Sequence, residues 1–277
     1  MKLKVYGCRG SVSMSRILST RYGGNTSCIL VEVDGNGIIF DAGSGILNLD
    51  CELKERFENY PHELPFRPEI LISHLHLDHI IGLTSFAPMY FADAKTRLYT
   101  LSRDSRPLKE QVMGAFVPPY WPVALEHFTQ AEFVELHDGV SFKLDSLTIT
   151  PFLAKHPDLT LSYHVTDGKK TIVHLLDNEV CGMEEPHYKR LVEFCKNADM
   201  VVFDSAYSTN DYVEKLGWGH STVDDGVKLA NDSGCKKMLF SHFSPQYSDE
   251  QLDEWVASID KNDTRFIFAY DGMEIIA

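Results

Sequence analysis

The densest chemistry in the chain lies within six residues, His74-Leu75-His76-Leu77-Asp78-His79, which carry three imidazoles and a carboxylate. Neutral imidazole nitrogens and carboxylate oxygens are the ligand types of zinc-like cations. In an extended turn His74 and His76 point the same way and can share one metal, while Asp78 and His79 sit where the chain bends toward a neighbouring one. Four ligands from one turn do not close two metal sites, so at least one more histidine and a bridging carboxylate are expected from downstream strand ends. His156 follows the strand ending Pro151-Phe152-Leu153, Asp177 ends the strand reaching Leu176, and His242 ends Met238–Ser241. Asp204 is the nearest rival to Asp177. Two divalent cations about 3.5–4 Å apart acidify a bridging water and stabilise charge on an attacked phosphoryl or carbonyl group.

The elements that must position these groups can be read from periodicity. Lys2–Tyr6 alternates like a strand, and Ile29–Val33 and Ile38–Asp41 flank Asp34-Gly35-Asn36-Gly37 as a hairpin. Ile70–Ser73 is a short apolar strand whose carboxyl end delivers the histidine cluster, the place where α/β sheets present their chemistry. A helix is expected to open at Ile80. Further strands are expected at Arg97–Leu101, Phe133–Leu136, Leu147–Leu153, Leu161–Val165, Thr171–Leu176, Met200–Phe203, Lys237–Ser241 and Arg265–Ala269. Helices are expected at Pro186–Lys196, Thr222–Asn231 and Asp249–Ile259. The stretch Ser102–Leu125, with four prolines among Met113, Phe116, Val117, Tyr120 and Trp121, reads as a long apolar loop that packs on its own core, covers the site or joins a homodimer.

With 277 residues, 44% of them hydrophobic, the chain can bury a sizeable core and is read as a single unit over 1–277. Its net charge of −14 is a poor footprint for tracking long nucleic acid, which favours a small-molecule substrate over a nucleic acid partner. Cys8, Cys28, Cys51, Cys181, Cys195 and Cys235 form no C-x-x-C pair, and no export signal or membrane-spanning run is evident, so a reduced cytoplasmic setting is expected. Gly7–Ser11 and Gly23–Ser27 are glycine-rich turns whose amides could line a pocket. His62, His127, His137, His164, His174 and His187 lack comparable company and receive no role.

The His74–His79 segment resembles the H-x-H-x-D-H signature of the metallo-β-lactamase superfamily, and Phe40-Asp41-Ala42-Gly43 resembles the strand and turn before it. Phe203-Asp204-Ser205-Ala206-Tyr207, Gly217-Trp218-Gly219-His220-Ser221-Thr222 and Ser241-His242-Phe243-Ser244-Pro245 resemble segments of its phosphodiesterase branch, which includes the tRNA 3′-end-processing nuclease and cyclic-nucleotide phosphodiesterases. The resemblance implies an α/β fold, a four-layer αββα sandwich, and a binuclear metal-dependent hydrolase. It implies that His74, His76 and His156 hold one metal, that Asp78, His79 and His242 hold the other, and that Asp177 bridges them. Two divalent ions are expected, zinc first, with manganese or iron also compatible with nitrogen and oxygen donors. Asp78 and His220 are the expected catalytic residues, His220 as the proton donor to a leaving alkoxide. Asp41 is expected to accept a hydrogen bond from a ligand imidazole.

The expected reaction is hydrolysis of a small phosphodiester such as a cyclic nucleotide. The alternatives are tRNA 3′-processing endoribonuclease activity, whose family carries a glycine- and lysine-rich arm not evident here, and thioester or lactam hydrolysis. Gly219-His220-Ser221 argues against the last two.

Overall fold

Strict alternation builds the first sheet. In the strand Cys28–Val33, Ile29, Val31 and Val33 enter a core between two sheets, while Cys28 and Leu30 enter a second core on the sheet's outer side. Burial on both faces is what a sheet covered on two sides requires. The computed structural model describes residues 1–15, 21–56, 67–123, 131–260 and 262–277; His62, His127 and the last two residues of the expected 102–125 loop lie outside them.

The strands are β1 (Lys2–Gly7), β2 (Cys28–Val33), β3 (Asn36–Phe40), β4 (Glu69–Leu71), β5 (Arg97–Leu101), β6 (Glu132–Leu136), β7 (Phe142–Leu144), β8 (Leu147–Leu153), β9 (Leu161–Thr166), β10 (Thr171–Leu175), β11 (Met200–Asp204), β12 (Met238–Ser241), β13 (Phe266–Phe268) and β14 (Glu274–Ile276). Among the described residues they form two sheets ordered β14-β1-β2-β3-β4-β5-β6 and β13-β12-β11-β10-β9-β8-β7. Each is mixed: β3 to β6 run parallel in the first and β10 to β13 in the second, with antiparallel neighbours beyond.

The helices are α1 (Ile46–Arg56), α2 (Leu77–Ile80), α3 (Leu108–Met113), α4 (Glu185–Phe194), α5 (Thr209–Tyr212), α6 (Val223–Ser233) and α7 (Asp249–Ser258). Ile46, Leu49 and Leu53 of α1 and Val112 and Met113 of α3 close the outer core of the first sheet. Leu191 of α4, Leu229 of α6 and Leu252 of α7 cover the second. The result is the expected four-layer α/β sandwich. Thr222 and Ser248 start α6 and α7 with reciprocal capping boxes, satisfying amides that would otherwise lack partners.

Three local expectations change. The helix expected from Ile80 ends there and passes into a 3-10 turn, Ile81–Thr84, because Gly82 N donates to Ala42 O rather than along a helix. The stretch from Ser102 is not all loop: Pro107 occupies the N-cap of α3, and Val112, Met113 and Phe116 pack into the outer core. Helices α1 and α5 and the short strands β7 and β14 form where no element is expected. All six cysteines are free thiols, and no described helix is long and apolar enough to cross a membrane.

Candidate metal centre

Most of the chemically active side chains sit where a strand stops. Asp41 follows β3, the His74–His79 segment follows β4, His156 follows β8, Asp177 follows β10, Asp204 ends β11 and His242 follows β12. The packed strands fix these ends, and the loops beyond are free to adopt irregular backbone. Asp41, Asp177 and His242 all turn through left-handed conformations, with φ of 58°, 52° and 65°. Such backbone costs about 1–2 kcal/mol at a residue with a side chain and persists where surrounding structure imposes it.

The structure brings together all seven residues expected as ligands. Asp177 lies at the centre and divides its oxygens. Its Oδ2 faces His74 Nε2 at 3.5 Å and His156 Nε2 at 3.7 Å, while Oδ1 faces His242 Nε2 at 3.1 Å and His79 Nε2 at 3.2 Å. Asp78 Oδ2 lies 3.3 Å from His79 Nε2 and 3.4 Å from His242 Nε2. The His76 ring lies 4.3 Å from that of His74 and 5.1 Å from that of His156. One set of donor atoms, from His74, His76, His156 and Asp177, lies within 4.8 Å of one another, as does a second from Asp78, His79 and His242.

Three of the imidazoles are anchored through the other nitrogen, which aims Nε2 inward. His79 Nδ1 meets Asp41 Oδ2 at 2.8 Å, the contact expected of Asp41. Asp41 is itself held by Ser73 N at 2.8 Å and the Ser73 hydroxyl at 3.1 Å. His74 Nδ1 lies 3.1 Å from Ser73 Oγ, and His156 Nδ1 lies 2.9 Å from Thr160 Oγ1. Such partners fix ring orientation and tautomer in metal sites. From the amino-terminal turn, Ser11 N donates to Asp78 Oδ2 at 2.6 Å, and Gly10 packs so closely that a Cβ there would come within 2.5 Å of the His242 ring.

The electrostatics test whether this set fits a cation. Burial opposes charge on Asp177, yet His242, His79 and His74 hold its carboxyl well below the usual range. Burial likewise opposes charge on His79, but Asp177, Asp78 and Asp41 raise it well above an ordinary histidine. His74 is pushed the other way by burial, with His79 adding to the effect. His74 Nε2 and Asp177 Oδ1 are buried without a hydrogen-bond partner. Carboxylates that draw protons onto imidazoles, beside orphaned nitrogen and oxygen donors, are what a site for divalent cations leaves in the bare protein. The residues fit such ions.

His220 stands beside this cluster. Its Nδ1 lies 2.8 Å from Asp204 Oδ2 and 3.9 Å from Asp177 Oδ2, and its ring stacks on His242 at 5.2 Å. Burial lowers its pKa, but Asp204, by charge and hydrogen bond, carries it to about 9. Asp204, the rival bridging carboxylate, meets His220 through Oδ2, and Asp177, Asp204, His220 and His242 also lie close enough to group around a cation.

Sequence reasoning missed Glu179. Buried two residues beyond Asp177, it accepts Gly217 N at 3.0 Å on Oε1 and Gly219 N at 2.9 Å on Oε2, with Tyr212 OH at 2.8 Å also on Oε1. Its trace in the sequence is the Gly217-x-Gly219 spacing, two glycines whose amides converge on this one carboxylate. His174, given no role, is a core residue stacked on Phe40 at 4.5 Å, its pKa lowered by burial to about 4.

A family model described as beta-lactamase superfamily domain matches residues 36–243. Ribonuclease Z of Brevibacillus brevis is 23% identical across 79% of this chain and 79% of its own. Among solved structures, the short form of human tRNase Z aligns with a TM-score of 0.68 at 17% identity, covering 100% of this chain and 99% of that one. A diphosphatase of the PhnP family aligns with a TM-score of 0.70 at 18% identity, covering 99% and 96%. At these identities the structural likeness speaks for the fold.

Proposed function

The chain belongs to the metallo-β-lactamase superfamily, in its phosphodiesterase and nuclease branch, and is a metal-dependent hydrolase; from that premise we propose that it is a binuclear phosphodiesterase that cleaves RNA. The observation that carries the reaction type is the Asp204–His220 pair set against the Asp177 carboxylate.

His74, His76, His156 and Asp177 Oδ2 would hold one divalent ion, and Asp78, His79, His242 and Asp177 Oδ1 the other, with zinc the first candidate and manganese or iron also suited. Bound there, the ions would acidify water and steady charge on a phosphoryl group. The chain does the rest. Ser11 N holds the Asp78 carboxylate, and Asp41 and Thr160 keep the His79 and His156 rings turned inward. Asp204 occupies Nδ1 of His220, which leaves Nε2 as the proton donor to the leaving alkoxide oxygen, and its charge stabilises the imidazolium beforehand.

The ribonuclease Z relatives favour RNA over the cyclic nucleotide expected from composition. One observation keeps a small phosphodiester as the second reading: the net charge of −14. A panel run with defined metals separates them. Release of a 3′ trailer from a precursor tRNA, weakening steeply with salt, supports the RNA reading. Turnover of cyclic nucleotides or simple diesters without RNA cleavage transfers the site to the second reading, and thioester or lactam hydrolysis without phosphodiester cleavage overturns both.

A further inference from the structure

The fold commits a buried carboxylate to holding up an exposed tryptophan. Gly217 and Gly219 flank Trp218 with φ of 85° and 90°, conformations that a residue with a side chain resists. Both of their amides end on Glu179, which Lys155 Nζ also reaches at 3.3 Å, so a buried acid fixes this loop from beneath. From the side the loop rests on the centre itself: a Cβ on Gly219 would come within 2.0 Å of His156 Cδ2 and 2.6 Å of Pro157 Cδ. Yet Trp218 keeps 54% of its surface in water, and Leu216 keeps 62%. Lys215 Nζ lies over the Trp218 ring, 4.3 Å from its centroid, so one face of the indole carries a cation on an otherwise strongly acidic protein.

The loop thus holds a largely exposed indole two residues before His220 on a backbone fixed at both flanking amides. We propose that Trp218 is a stacking platform for the nucleobase next to the scissile phosphodiester, with Lys215 meeting a neighbouring phosphate. This rests on the reading of the site as a phosphodiesterase for RNA. Aromatic faces bind bases of any sequence in this way, and the adjoining cation adds affinity for the backbone. Glu179 is a positioning residue: it keeps the platform and His220 at a fixed distance from the centre.

The test is a double-mutant cycle on short RNA substrates, normal or abasic at the nucleotide beside the cleaved bond. On normal RNA, Trp218→Ala is expected to raise KM about tenfold with a much smaller change in kcat, and Trp218→Phe to recover most of the loss. On abasic RNA, wild type and Trp218→Ala should share the same raised KM. An equal Trp218→Ala effect on both substrates, or no KM change, overturns the platform. So does a dimer that Trp218→Ala dissociates while KM stays put, because the indole then faces a second copy. A fluorescence measurement separates this from the function reading: a nucleoside monophosphate should quench wild-type tryptophan emission and leave that of Trp218→Phe unaffected, whether or not RNA is cut. Equal quenching of both proteins also overturns the proposal.

Discussion

The two ends of strand β11 place a buried aspartate in opposite circumstances. Asp199, just before the strand, is saturated by the chain itself: Lys170 and Lys236 each donate to Oδ1 at 2.9 Å, and Thr171 N donates to Oδ2 at 2.9 Å. Asp204, the last residue, accepts from Ala206 N and faces the His220 imidazole. Around it, His74 Nε2, Asp177 Oδ1 and His242 Nδ1 are buried without hydrogen-bond partners, and three strand-end residues take left-handed backbone. At one end the protein neutralises its own carboxylate with lysines. At the other it gathers donors in excess of its own cations, a surplus that an external cation would satisfy. The Asp199 carboxylate is satisfied by the chain, whereas the functional end keeps several buried donor atoms without hydrogen-bond partners.

The contrast can be broken at several points. Asp78→Ala should reduce phosphodiesterase turnover by on the order of 10³-fold in defined metal, measured by steady-state kinetics; near-normal activity would remove Asp78 from the machinery. With His220 as the proposed proton donor and not a ligand, His220→Ala should lower kcat by roughly 10²–10⁴-fold with metal content unchanged by elemental analysis. Asp41→Asn should weaken metal affinity about 10–100-fold in chelator competition, through the tautomer and orientation of His79.

The smallest effect belongs to the opposite end. Asp199→Asn should leave kcat unchanged and lower Tm by about 2–4 °C at pH 7, read by calorimetry. Burial pushes the Asp199 carboxyl up, but Lys236, Lys170 and the Thr171 amide bring it down to about 2, below its value of 3.8 when unperturbed. A depressed acid stabilises the fold fully above the unperturbed value and loses that contribution as pH falls through the folded one. The Tm gap between the two proteins should therefore be constant above about pH 4 and close toward pH 2.

The ease with which the sequence yields each part follows from how locally that part is encoded. His74–His79 is legible because four donors share one turn, and His156, Asp177 and His242 because each stands at the end of a recognisable apolar strand. The Asp204–His220 contact joins β11 to the loop before α6 across 16 residues, and no local pattern announces it. Glu179 is hidden for the same reason: its partners Gly217, Gly219 and Tyr212 are more than 30 residues away in the chain. Helix α1 does show an apolar face in Ile46, Leu49 and Leu53, but the polar residues between them mask the period. Helix α3 hides behind prolines, although Pro107 sits where a proline starts a helix rather than breaking one. Strand β14 is three residues long, and its pairing with β1 is a tertiary event.

The central claim is that Asp177 offers one oxygen to each of two cation sites. Metal stoichiometry tests it most directly: chelator-stripped protein is reloaded with zinc or manganese, freed of excess ion and analysed for metal per chain, wild type beside Asp177→Ala. About two ions per wild-type chain and one or fewer in the variant are expected. A saturating value of one ion in the wild type, or the same content in both proteins, would contradict it.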